Sequence, residues 1–238
     1  MLQVSQLHGF NGRPRTPVTV TYLADALDNV DKTSSFTFSS LSFGTASSDR
    51  ILAVFISNEG PTNASISGVT IGGVAATRAN SADGGWDGLS TSLWSSIWYA
   101  QVPTGTSGNV VVSWGGGATR RGMQVALWAI YNANPTPYAH NINPNNGTQT
   151  GRTTTLDIPA GGACITGYSV SATGGPPTLA SGATSRGGES NIGTDDSSAR
   201  WGDTTSETLD TGHVITYSHG SVTALVVPCS VSWAPASG

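Results

Sequence analysis

Arg50-Ile-Leu-Ala-Val-Phe-Ile56, Val69-Thr-Ile71 followed by Gly72-Gly73, and Val110-Val-Val-Ser-Trp114 before Gly115-Gly-Gly117 decide the fold class of this chain. Each is a short run of β-branched, aromatic and aliphatic residues, the kind that fits a pleated and half-buried surface. Glycines close two of the three, which is the punctuation of turns. Working outward, the same grammar recurs in Val18-Thr-Val-Thr-Tyr22, Phe36-Thr-Phe38, Leu93 to Val102 and Met123 to Tyr131. Strands of about 4–8 residues at this spacing predict an all-β, antiparallel β-sandwich or jelly-roll-like fold. Gly122 to Tyr131 is the one serious helix candidate. It is short, aromatic and without a clear N-cap, so it reads as a strand.

Composition supports the same class. The 238 residues include 31 glycines, 31 serines and 30 threonines, whereas charged residues are 10% and Lys32 is the only lysine. Long surface helices need Glu, Lys, Arg, Ala and Leu, which this chain does not supply in quantity. Disorder is opposed by 37% hydrophobic residues and seven tryptophans set in periodic runs. A net charge of −4 offers no electrostatic footprint for phosphates, so nucleic acid is not an expected partner. The N-terminus lacks a basic segment followed by an apolar core, and no apolar run reaches transmembrane length. The expectation is a chain made and left in the cytoplasm, with no membrane insertion. Cys164 and Cys229 form no disulfide framework and no metal-type spacing. Two buried thiols and one disulfide both stay open.

Residues 1–15 have no sustained period and are broken by Gly and Pro, so they read as an extended N-terminal arm. Leu2, Val4, Leu7, Phe10, Arg13 and Arg15 are its candidate docking residues. Residues 16–131 form a first half of the sandwich. Residues 132–151 are dense in turn formers and read as a linker or long crossover loop. Residues 152–238 form a second half that echoes the first: Ala163 to Val170 matches Arg50 to Ser57, Gly182 to Arg186 matches Val74 to Arg78, His213 to Tyr217 matches Val110 to Trp114, and Thr223 to Val227 matches Gln124 to Trp128. A duplicated supersecondary unit explains the echo. So does the general likeness of antiparallel strands within one sandwich.

Little in the chain points to catalysis. His8, His140, His213 and His219 are scattered, and no Gly-x-Ser-x-Gly elbow stands in a strand-to-helix setting. Glu59, Glu189 and Glu207 each read as turn residues without a partner acid, which argues against glycosidic-bond cleavage. Asp195-Asp196 and the Asp83/Asp87 pair lack the ordered spacing of a calcium loop. No catalytic residue, metal or cofactor is implied. The aromatics are more suggestive. Trp86 beside Asp87, and Trp201 close to Asp203, stand in polar-looking loops, and an indole beside an acid is a physical recipe for gripping a sugar ring. Core packing is the competing reading for both.

The runs Arg50 to Ile56, Ile66 to Arg78, Ile97 to Gly105 and Val110 to Trp114 together resemble a β-sandwich module of bacteriophage virion proteins and some bacterial surface proteins. Val4-Ser-Gln-Leu-His-Gly-Phe10 is similar to short N-terminal segments that anchor such modules to the particle. The resemblance covers about residues 45–235. It implies a structural virion component of the head or tail, assembled in the host cytoplasm, with other virion proteins as partners and a homo-oligomer as its state. The alternative is a carbohydrate- or receptor-binding module facing a host surface glycan. A glycan depolymerase ranks third.

Overall fold

A computed structural model of the chain describes residues 15–32, 34–60, 65–79, 84–86, 92–115, 119–171, 177–192 and 197–237. The strands of the first half are β1 (Thr19–Asp28), β2 (Ser35–Ser42), β3 (Ile51–Gly60), β4 (Ile66–Ile71), β5 (Val74–Ala75), β6 (Thr77–Arg78), β7 (Gly84–Trp86), β8 (Ser92–Gln101), β9 (Ser107–Trp114) and β10 (Gly122–Tyr131). Those of the second are β11 (Ala139–Ile142), β12 (Asn145–Ile158), β13 (Gly162–Ser171), β14 (Thr178–Ser181), β15 (Thr184–Ile192), β16 (Ser197–Ser206) and β17 (Asp210–Trp233). The fold is all-β and antiparallel, with no helix among the described residues.

Three sheets stack through one another. The middle one has the order β1-β10-β3-β8-β6, with β7 also paired to β8. One of its faces is covered by the sheet β2-β9-β4-β5, the other by the sheet β11-β17-β13-β16-β15. Period-two geometry makes this possible. In β3, Leu52, Val54 and Ile56 enter the first core with Phe36, Phe38, Val69, Val110 and Val112. Ile51, Ala53 and Phe55 enter the second with Ile165, Trp201, Val231 and Trp233. Every residue of β3 is therefore buried, as is nearly every residue of β10. This is why Ile51 to Ile56 reads as an unbroken apolar run rather than an alternating one.

The second half repeats the first at the level of topology. Strand β17 bends. Its later part, Val222–Trp233, pairs with β11, β12 and β13, whereas its earlier part, Asp210–Ser218, pairs with β12 on one side and β14 on the other. The earlier part thus builds a three-strand layer, β12-β17-β14, over the outer face of its own sheet, enclosing Leu156, Ile158, Tyr168, Val170, Ile215 and Tyr217. The order β11-β17-β13-β16-β15 matches β1-β10-β3-β8-β6 strand for strand, and β12-β17-β14 matches β2-β9-β4. The chain is two sandwiches of one winding, packed back to back. The equivalent central strands β3 and β13 face each other, and Ser169 Oγ donates to Ser57 Oγ at 2.6 Å across the contact. Pairing equivalent surfaces is how an isologous dimer is built.

Residues 132–151 are not a bare linker, because they contain β11 and the start of β12. Backbone pairing to an existing strand needs no apolar side chains, so an Asn- and Gly-rich segment can still add to β17. The cysteines are free and buried. Cys164 faces the third core and Cys229 the second, on opposite sides of one sheet. Burial pushes both thiols far above their ordinary pKa.

Candidate functional site

The molecule has two unlike ends. Strands β3 and β13 both finish at one of them. Glu59 Oε2, at the end of β3, accepts from Ser197 Oγ at 2.7 Å, and Ser197 pairs with Ser171, the last residue of β13. The strand ends flanking residues 61–64, 116–118, 172–176 and 193–196 are delivered to this end. The opposite end holds the first and last described stretches of the chain: Val18 N–H donates to Gly161 O at 2.8 Å, and Ala236 N–H to Asn132 O at 2.8 Å.

The terminal end is stapled from within. The fully buried guanidinium of Arg50 donates to the carbonyls of Val102, Phe43, Gly44, Thr104 and Gly105 at 2.7, 3.0, 3.3, 2.8 and 2.8 Å. It needs no carboxylate, since charge-assisted bonds to carbonyls satisfy its donors. Asp49 accepts from the Ser47 hydroxyl and the Asn132 N–H, and these bonds hold its carboxyl below the usual range. A groove of about 330 Å³ lies where the chain enters, between Pro17-Val18, Gly161-Gly162 and Thr205 to Glu207.

Of the four predicted sugar-gripping residues, Trp201 and Asp203 are buried. Trp86 belongs to β7 and pairs with Leu93; its side chain and Asp87 lie outside the described residues. Trp201 is 1% exposed and packs against Phe55 between the two sandwiches, with ring centroids 6.5 Å apart. Gly187 leaves room for the indole, since a Cβ there would stand 2.9 Å from it. Asp203 is 4% exposed. It accepts from Arg186 Nε and Nη2 at 2.8 and 2.7 Å and from Trp128 Nε1 at 2.8 Å. Neither Trp201 nor Asp203 presents a face to a ligand. Arg200-Trp201-Gly202-Asp203 looks like a polar loop but is part of a strand, in which Trp201 and Asp203 are buried. Glu59 likewise is a buried strand residue rather than a turn. Leu2, Val4, Leu7, Phe10 and Arg13 lie outside the described residues, and Arg15 is exposed.

What the sequence did not single out are the mouths of the two sandwiches at the loop end. In the first, Asn58 stands beside Trp94 and Met123 in register. Its amide is buried without a hydrogen-bond partner, as is Trp94 Nε1. In the second, Arg152 is paired with Tyr217 across β12 and β17, so both point inward. Tyr217 stacks on Tyr168 at 4.7 Å and 12°, and Tyr168 on His219 at 5.9 Å and 29°. Between the mouths the interface is polar, with Ser57, Ser95, Gln124 and Ser169 buried together. No signal in the sequence marks these residues, because only folding brings β12, β13 and the bend of β17 together.

No family model, no curated protein and no solved structure matches this chain. Among the described residues no group of three His, Cys, Asp or Glu side chains is placed to hold a metal ion.

Proposed function

We propose that this chain is a structural component of a bacteriophage-like particle, held by its terminal end and presenting the loop end outward. The observation that carries the reading is the segregation of the two ends. The first and last described stretches of the chain lie together near the groove at Pro17 and Gly161, and the strand ends flanking the connections lie at the other pole. A stiff platform suits this role. Two sandwiches locked through a continuous core transmit load better than two domains on a linker, because packed interiors have low compressibility. Low charge and a Ser/Thr-rich composition suit close packing among repeated neighbours.

The partners on this reading are other virion proteins and further copies of the chain, joined through residues 1–15. The test is incorporation. The chain lacking residues 1–15 is expected to fold but to be missing from particles assembled in its host. Undiminished incorporation refutes the anchoring role, and a full-length chain that never co-purifies with a particle refutes the reading itself.

A further inference from the structure

The groove at the terminal end has a wall that is also the root of the N-terminal arm. Pro17 and Val18 form one side, Thr205, Ser206 and Glu207 the other, and Gly161 and Gly162 the floor, enclosing about 330 Å³. The floor is bare because both residues lack a side chain. Gly161 has a φ of 70°, which glycine adopts freely, and a Cβ on Gly162 would stand 2.6 Å from Trp233 O. The accessible lining is mainly carbon. Leu209, in the connection that also carries Glu207, is 57% exposed.

The arm complements this groove. Residues 1–24 contain no Asp or Glu, and Arg13 and Arg15 are their cations. Glu207 is exposed on the rim and makes no ion pair with another described residue. Phe10 is the one Phe, Tyr or Trp of residues 1–15, and an aromatic ring seated in a pocket is the usual anchor of an interface.

We propose that the groove receives the arm of a second copy of this chain, with Phe10 over the Gly161-Gly162 floor and Arg13 beside Glu207. The inference rests on the role of residues 1–15 as the joining segment and names the surface they join. A second copy is required by the way the chain leaves the wall. Arg15, Thr16 and Pro17 are all exposed, so the root of the arm points into solvent instead of along the groove. Proline at 14 and at 17 fixes φ and pushes Arg13 and Thr16 into extended backbone. At about 3.1 Å per residue, this stretch carries Arg13 roughly 12 Å away from Pro17. Asn11 and Gly12 alone separate Arg13 from Phe10, and a reversal there returns the ring to the side of Arg13, short of its own groove. Each copy thus gives an arm and takes one, the exchange of an identical element that joins protomers at low cost.

The test uses the full chain with Phe10 replaced by the photocrosslinking residue p-benzoylphenylalanine. Isotopically heavy and light copies are mixed at high concentration, left to exchange and irradiated. Mass spectrometry is expected to find heavy-to-light crosslinks from position 10 to the peptides holding Gly161-Gly162 or Thr205 to Glu207. In sedimentation, Phe10→Ala and the groove-filling Thr205→Trp should each weaken self-association at least tenfold with no change in Tm. Glu207→Arg should weaken it as well, and Arg13→Glu in the same chain should restore it. A chain that stays monomeric, crosslinks confined to one copy or to another surface, or association unchanged in both Phe10→Ala and Thr205→Trp overturns the proposal. Crosslinks from position 10 to a different protein of the particle overturn the arm exchange and leave the particle reading standing. Copy-to-copy crosslinks at the groove in a chain that never co-purifies with a particle uphold the exchange and refute the particle reading alone.

Discussion

Replacing Phe55 and Gly167 singly and together tests the back-to-back packing of the two sandwiches. Phe55, on β3, is fully buried, and its ring covers Gly167 on β13. A Cβ at 167 would stand 2.2 Å from ring atoms Cδ2 and Cε2 and 2.7 Å from Cγ. The ring is flanked by Trp201, the register partner of Gly167 on β16, so it has little freedom to yield. Gly167→Ala is then an overpacking change costing about 1–3 kcal/mol, with the upper end expected here. Phe55→Ala removes a fully buried ring and leaves a cavity, costing about 3–5 kcal/mol. In the double variant the clashing atoms are gone, so Gly167→Ala costs nothing more. It even recovers about 0.5–1 kcal/mol, because glycine within a strand is unfavourable relative to alanine. The expected coupling is about 3.5–4 kcal/mol and compensating. Equilibrium urea unfolding of the four proteins measures it, with fluorescence and far-UV circular dichroism compared to check for a single transition. Costs that simply add, to within about 0.5 kcal/mol, refute the contact and with it the rigid pairing of the sandwiches.

Other perturbations follow from single interactions. Arg186→Ala leaves Asp203 buried with only the Trp128 N–H; Arg186 is itself 39% exposed, so the loss should be about 2 kcal/mol, below the figure for a fully buried pair, and visible as a lower Tm. Asp49→Asn should cost about 1 kcal/mol at neutral pH. Because the folded carboxyl titrates below its unfolded value, its stabilisation is full above the unfolded pKa of about 3.9 and disappears as pH falls through the lower folded one. The gap between variant and parent in thermal scans should therefore close in acid, and a gap independent of pH refutes the assignment. Cys164 and Cys229 should resist a thiol reagent in the native protein and react together once denaturant unfolds it; fast native labelling contradicts their burial.

The sequence by itself determined the class of structure and most of its strands. Period-two patterning, Gly-rich turns and the absence of helix-forming surfaces are local properties, readable wherever a run such as Val110 to Trp114 ends at glycines. It also carried the trace of a repeat, since the echo between residues 50–131 and 163–227 follows strands that occupy equivalent places in the two sheets. Tertiary structure decided which faces of those strands were buried. A strand with one covered side alternates, but β3, β10 and β13 are covered on both, and no local rule says which neighbour lies on which side. Trp201 and Asp203 therefore passed for loop residues until β16 was seen to lie against β3. The mouth of the second sandwich was invisible for the same reason. Arg152, Tyr168 and His219 come from three strands, and only the bend that folds β17 back over its own sheet places them together.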